Sequence, residues 1–365
     1  MSSFLDIEPL DIELPLPVVA RSRPVAVWLF AVAAMVFGMV ILGGSTRLTN
    51  SGLSITEWKP ISGVLPPLSP AAWLMEFHGY QQIPQFKLQN PDMTLAGFRA
   101  IYWWEWSHRL LGRIIGLAFA APFAVFLFFT KSIPPRLIWR CWVLFFLGGL
   151  QGVVGWWMVF SGLSVRTEVA PERLTVHLGL ALLVFCGLVW TGLEAWAEPP
   201  APEEPQEPQP PFSRPRWPLA AAGLAALVFV QILLGGLVAG NRAGLIYNDW
   251  PFYGGALWPS DYRDGDAWHT ALHSLAAVQA HHRMTAYLLF LLAWLAAGAA
   301  LLSKTLPRPI ALLVLGLAGL VTLQAVLGIG TLMMQVPFGM AVAHQATAAL
   351  VLAAAIGLAW RVHRR

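Results

Sequence analysis

The chain has 365 residues, of which 57% are hydrophobic and only 12% charged, with a mean hydropathy of +0.62. That balance excludes a soluble domain and points to a polytopic membrane protein, for which 18 tryptophans and 32 glycines supply interfacial belts and close helix packing. A net charge of +4 is no nucleic-acid footprint, and Cys141 and Cys186, with no CxxC spacing, argue against a thiolate metal site or an external disulfide.

The N-terminal tail, 1–24, is acidic and unlike a cleaved signal peptide. A spanning helix needs ~20 apolar residues. Eight such runs follow, at about 25–45, 107–129, 137–160, 174–196, 217–239, 283–303, 309–333 and 340–360. Arg21 and Arg23 precede the first, and Lys131, Arg136 and Arg140 lie between the second and third. Arg214 and Arg216 precede the fifth, Lys304 and Arg308 precede the seventh, and RVHRR closes the chain. These are alternate loops, so both termini are expected on the cytoplasmic side. The external loops are then 46–106 and 240–281. Their Trp-, Pro- and Gly-rich stretches are suited to capping pockets or to lying in the interface. The segment EPPAPEEPQEPQPPFSRPR, covering 198–216, reads as an extended cytoplasmic linker between halves at 25–197 and 217–361.

The halves repeat. LGGSTRLTNSGLSITEW at 42–58 matches LGGLVAGNRAGLIYNDW at 234–250 at an offset of 192. His–Arg at 108–109 matches 282–283, Gln151 matches Gln324, and TVHLGLAL matches VAHQATAAL about its histidine. The order is the same throughout. The expected fold is therefore an all-α integral membrane protein, eight transmembrane helices forming two tandem four-helix bundles related by a pseudo-twofold axis along the membrane normal.

Four histidines recur: His108, His177, His282 and His344. Each falls near the start of an even-numbered span, within about two turns (~10 Å) of its external end. Any one alone reads as a structural, hydrogen-bonded residue. Four at equivalent places in a duplicated unit are different, because ionisable groups in a membrane are costly and tend to be functional. Two neutral imidazoles from two helices suit the axial positions of a haem, whereas zinc would need further ligands at that depth. His78 and His363 read as solvated. His269 and His273, at i and i+4, are spaced to grip a metal but have no counterpart in the first half. His281 competes with His282, yet only His282 keeps the His–Arg order.

An offset of 174 aligns Glu105 with Gln279, one turn before each histidine. A carboxylate there can move protons or stabilise charge, whereas an amide only hydrogen-bonds. The plain alternative is an i,i+4 ion pair with Arg109. Arg109, Arg113 and Arg283 are candidate partners for haem propionates, or else headgroup anchors.

With GGSTRLTNSGLSITEWKP, EWSHRLLGR, TVHLGLAL, HHRM and AHQATAAL, the chain resembles the haem A synthase family from about residue 25 onward. The resemblance implies oxidation of the C8 methyl of haem O to the formyl of haem A, for use by terminal oxidases. It implies a resident haem b on His282 and His344. It places haem O, the substrate, between His108 and His177, with Glu105 as the essential acid. It further implies a bacterial inner membrane, an electron donor, and a haem O synthase (protohaem farnesyltransferase) as a candidate partner that hands over substrate; a homo-oligomer is compatible with it. Some members carry a cysteine pair in the first external loop. This chain has none there, which removes any thiol role. Two rivals are a quinol-linked di-haem electron carrier, which requires two equivalent sites, and a haem carrier, which requires polar inner helix halves. Two axial histidines leave a haem iron no open position, so oxygen reaches it only if one of them leaves. The tail of haem O is apolar, at ~0.8 kcal/mol per methylene exposed to water, so the first-half pocket is expected to open sideways into lipid.

Overall fold

A computed structural model describes residues 22–197 and 217–364. Residues 1–21, the linker 198–216 and the flanking cations Arg21, Arg214, Arg216 and Arg365 lie outside the described residues. Eight helices are long and apolar enough to cross a membrane. In chain order they are α1 (Arg23–Leu48), α4 (Leu95–Ala124), α5 (Pro135–Leu163), α6 (Pro171–Trp196), α7 (Trp217–Gly240), α9 (Leu275–Leu302), α10 (Arg308–Met333) and α11 (Phe338–His363). Short helices α2 (Pro70–Gln81) and α3 (Pro84–Gln89) lie between α1 and α4, and α8 (Ala267–His273) lies between α7 and α9. No strand occurs among the described residues.

Proline in the first turn starts α1, α5, α6 and α10, where its missing N–H is no loss. Two spans begin well before their apolar runs: α4 at 95 rather than 107, and α9 at 275 rather than 283. Side-chain caps set both starts, Thr94 accepting from the Gly97 N–H and Ser274 from the Ala277 N–H. The added turns of α4 mix aromatic, aliphatic and charged residues and bury Phe98 and Tyr102 against the first external loop. There Leu53, Ile55, Trp73, Phe77, Tyr80, Phe98 and Tyr102 form a small core outside the membrane run. His78 is therefore an exposed helical residue of α2, not a loop residue.

Helix packing follows the repeat. α1 contacts α4 and α6, as α7 contacts α9 and α11; α6 meets α7 as α11 meets α1; α6 and α11 meet each other. This pairing is consistent with a pseudo-twofold axis. Asn50 and Arg242, at equivalent places just beyond α1 and α7, both take left-handed backbone, with φ 52° and 55°. The halves are tied by Arg47, which donates to Glu168 at 2.7 Å and to the Gly240 carbonyl at 3.3 Å, and by Arg242, paired with Asn50 and Glu168. Away from the histidines the bundle is filled by apolar side chains such as Leu29, Val32, Leu188, Leu317 and Leu352.

Candidate functional site

The four repeated histidines all point into the bundle, each seated on a neighbouring helix by the same device. A Cβ on Gly43 of α1 would lie 3.2 Å from the His108 ring, and one on Gly235 of α7 would lie 3.1 Å from His282. Gly155 of α5 backs His177 at 2.9 Å, and Gly328 of α10 backs His344 at 2.7 Å. Only glycine leaves room for an imidazole this close to a helix. Four residues before three of these glycines stands a glutamine on the same helix face. Its Nε2 lies 3.2 Å from Nδ1 for Gln151–His177, 3.0 Å for Gln231–His282 and 3.1 Å for Gln324–His344. Position 39, the fourth in the set, is methionine.

His282 and His344 face each other with ring centroids 6.5 Å apart and planes at 84°. One metal between two imidazoles spans about 6 Å between centroids, from two bonds of about 2 Å and two ring radii of about 1 Å. The spacing therefore fits a single iron. The three glutamine Oε1 atoms are buried without a partner. With its amide turned over, Gln324 accepts the Nδ1–H of an imidazole ligating through Nε2, the support a metal-bound histidine requires, whereas Gln151 and Gln231 are fixed the other way round by donating at 3.0 Å to the carbonyls of His177 and His282. His281, the competitor, instead shares a 2.7 Å hydrogen bond with the Tyr262 hydroxyl. His269 and His273 stack at 5.2 Å, but no group of three metal-ligating side chains occurs among the described residues. Both cysteines are free.

Of the four, His177, His282 and His344 lie on the second or third turn of their helices, as the sequence suggests. His108 does not. It is the fourteenth residue of α4, because the Thr94 cap carries that helix outward beyond the apolar run.

Glu105 is buried and accepts four hydrogen bonds. The Ser54 hydroxyl donates at 2.7 Å and the Ile55 N–H at 2.8 Å to Oε2, while Arg109 donates from Nε at 3.0 Å and Nη2 at 2.6 Å to Oε1. The ion pair with Arg109 is thus formed. Gln279 holds the equivalent loop with the opposite polarity, Nε2 donating at 2.7 Å to the carbonyls of both Ala243 and Ile246. Ile246 is the counterpart of Ser54. The two loops have therefore adapted to an acid in one half and an amide in the other.

The arginines anchor the same loops. Arg109 reaches the carbonyls of Ile55 and Glu57, Arg113 those of Lys59 and Pro60, and Arg283 those of Tyr247 and Phe252. Arg113 Nη1 and Arg283 Nε remain buried and unpartnered, so each keeps a donor for an anionic group.

Residues 26–356 match the cytochrome oxidase assembly protein family (COX15-CtaA). The chain belongs to this family. Among similar proteins of the cytochrome oxidase assembly family is one named heme A synthase from Caulobacter sp. (strain K31), 56% identical over 94% of this chain and 97% of its own length. Equally named proteins from Caulobacter vibrioides and Parvibaculum lavamentivorans are 55% and 47% identical over 94% of this chain, covering 97% and 95% of their lengths.

Sequence reasoning missed Gln231 and the four glycines. The signal was present: QGVVG, QILLG and QAVLG, with MVILG as the exception, place a glutamine and a glycine four apart on the helix that backs each histidine.

Proposed function

We infer that this multi-pass membrane protein of the cytochrome oxidase assembly family makes haem A from haem O, converting a methyl substituent of the ring to a formyl group. The observation that carries the reading is the fourfold histidine–glycine seat with an acid beside it in one half only, Glu105 against Gln279. Bound haem supplies the redox chemistry, drawing on an electron donor. The chain's own residues hold the ring and present an acid.

In this reading His282 and His344 hold a resident haem b in the half 217–361, and His108 and His177 hold haem O in the half 25–197. Glu105 is the catalytic acid. Its position one turn from His108, and its replacement by an amide in the second half, support that role. Its four hydrogen bonds fix it in place, and Arg109 couples it to the external loop. Arg113 and Arg283 each have a buried N–H free to reach a propionate, while Arg109 serves chiefly Glu105. The membrane is the bacterial inner membrane, with both termini and the 198–216 linker cytoplasmic.

Substrate access is lateral. α9 and α10 pack along each other, whereas α4 and α5 meet mainly at one end, where Phe119 and Phe123 pack on Trp142 and Phe145. Gly148, Gly149 and Gly152 of α5 have open space where a Cβ would be; their counterparts at an offset of 173 are Val321, Thr322 and Ala325. This open face of α5, on the helix that carries Gln151, suits an apolar tail passing to lipid, or to a haem O synthase docked there. The testing experiment is extraction of haems from cells that make haem O and express the protein. Haem A identified by mass spectrometry is the expected product; haem O alone, with the protein present, overturns the assignment.

A further inference from the structure

The four histidine seats share a plan, but His108 differs from the other three: it meets Gly43 with its Nε2–Cδ2 edge, where His177, His282 and His344 meet their glycines with Cε1. On α5, α7 and α10 a glutamine amide lies on the nitrogen edge of the ring, and in two of the three it also donates at 3.0 Å to the histidine's own carbonyl. On α1 the matching residue is Met39. A thioether has no N–H and is a weak acceptor. Among the described residues no side chain hydrogen-bonds the His108 ring. Met39 packs toward α4 at the next turn, its Cε 3.6 Å from where a Cβ on Gly112 would lie. The second half has Ala286 in place of Gly112, so the first-half seat is also roomier.

We propose that Met39 makes His108 the releasable one of the four histidines: lacking an amide latch, its ring turns away from a bound haem iron while His177, His282 and His344 stay in place. This rests on the haem reading given above. It supplies what a redox site with two histidine ligands otherwise lacks, an open coordination position, and places it one helical turn from Glu105. Both differences, acid for amide and methionine for glutamine, fall in the same half. A fixed ligand pair suits electron transfer; a releasable ligand suits access of a small molecule to the iron. Met39 is thus a positioning residue by omission, acting through His108.

The test exchanges the two residues, which are nearly the same length. Purified protein carrying its haems is reduced and titrated with carbon monoxide, and visible spectra report the low-spin fraction and the CO bound per protein. Wild-type protein is expected to bind CO at the first-half haem and not at the second. Met39→Gln should lower first-half CO affinity roughly two- to tenfold and raise its low-spin fraction, the factor set by one hydrogen bond on the ring. Gln231→Met should let the second-half haem take CO, raising the CO bound per protein. The unchanged half in each variant, still low-spin, is the internal check on folding. Two histidine-ligated haems with CO binding unaltered by either exchange overturn this inference alone. Purified protein without any histidine-ligated haem overturns it together with the haem-ligand reading.

Discussion

The glycine beneath His344 is the most exacting contact in the second-half site, and Gly328→Ala tests it directly. The added methyl would lie 2.7 Å from Cε1 and 3.3 Å from Nδ1 of His344. Carbon atoms settle at about 3.5–4.0 Å, so the ring must retreat by about 1 Å. Gly328 sits within α10, which packs on α9 and α11, so the side chain yields before the backbone. The retreat strains or breaks the 3.1 Å contact with Gln324. Overpacking of this kind costs about 1–3 kcal/mol, partly offset by the ~1 kcal/mol that alanine gains over glycine in a helix. The fold should therefore survive with a modest loss in Tm. The haem should not be held as well, because disturbing the support of a metal-bound histidine costs roughly 10–100-fold in affinity. The control is Gly319→Ala on the same helix, where an added Cβ meets nothing within 4 Å. The assay is haem b per purified protein, with its low-spin spectrum, in both variants. Gly328→Ala with a full complement of unperturbed low-spin haem would refute the seat-and-ligand reasoning for His344.

Replacing His282 or His344 with leucine should abolish the low-spin haem b spectrum; a full spectrum in either purified variant removes that residue from the ligand set. Glu105→Gln should leave haem bound but collapse the ratio of haem A to haem O in cells. The amide also turns an N–H toward at least one of the four donors now facing the carboxylate, a cost of about 1–3 kcal/mol, so Tm is read alongside, and a normal haem ratio would leave Glu105 only its ion pair. Gly152→Leu puts a bulky side chain on the open face of α5 and should slow turnover of haem O while sparing the resident haem, and unchanged turnover counts against lateral access. In the second external loop the Gly254 and Gly255 N–H groups hold the Asp249 carboxyl below its ordinary value of 3.8. A lowered folded-state value means this turn is favoured above 3.8 and loses the contribution as pH falls through the lower value. The protection of the Gly254 and Gly255 amides, taken as exchange relative to the intrinsic rate at the same pH, should fall only on that acid side, and a loss of protection beginning near neutrality would contradict it.

The eight spans were legible because lipid imposes a length and composition that few other folds share. Their starts were less so. Residues 95–106 and 275–282 carry Arg99, Glu105, Gln279 and two histidines that interrupt the apolar run, yet Thr94 and Ser274 cap helices there. The small external core was also hidden in a loop-like composition, although Trp73, Phe77 and Tyr80 already carry helical spacing after Ser69–Pro70. The histidines and the Glu105–Gln279 contrast could be read because duplication supplies an internal alignment. The glutamine latch was half seen, as Gln151 and Gln324, because the third member, Gln231, lies in the other conserved block at a different offset. What links the two blocks is that α7 lies against α9, which only folding reveals.

Duplication also makes each half the control for the other. Residues equal in both halves, such as the glycine seats and the loop-anchoring pair Arg109 and Arg283, are what any histidine-lined pocket of this fold needs. Residues that differ carry the division of labour. Glu105 against Gln279 changes what can be done to a proton. Met39 against Gln231 changes how firmly a ring is held. Gly148, Gly149 and Gly152 against Val321, Thr322 and Ala325 change whether a helix face is open or filled. In the proposed reading, each of the three changes gives the first half something a fixed electron-transfer site has no use for: an acid, a loose ligand and a way in for a long apolar substrate. Two equivalent haem sites, as a quinol-linked electron carrier requires, would have no reason to diverge at these positions together. The concentration of all three in one half is therefore the strongest structural argument that the first half reacts and the second half only holds.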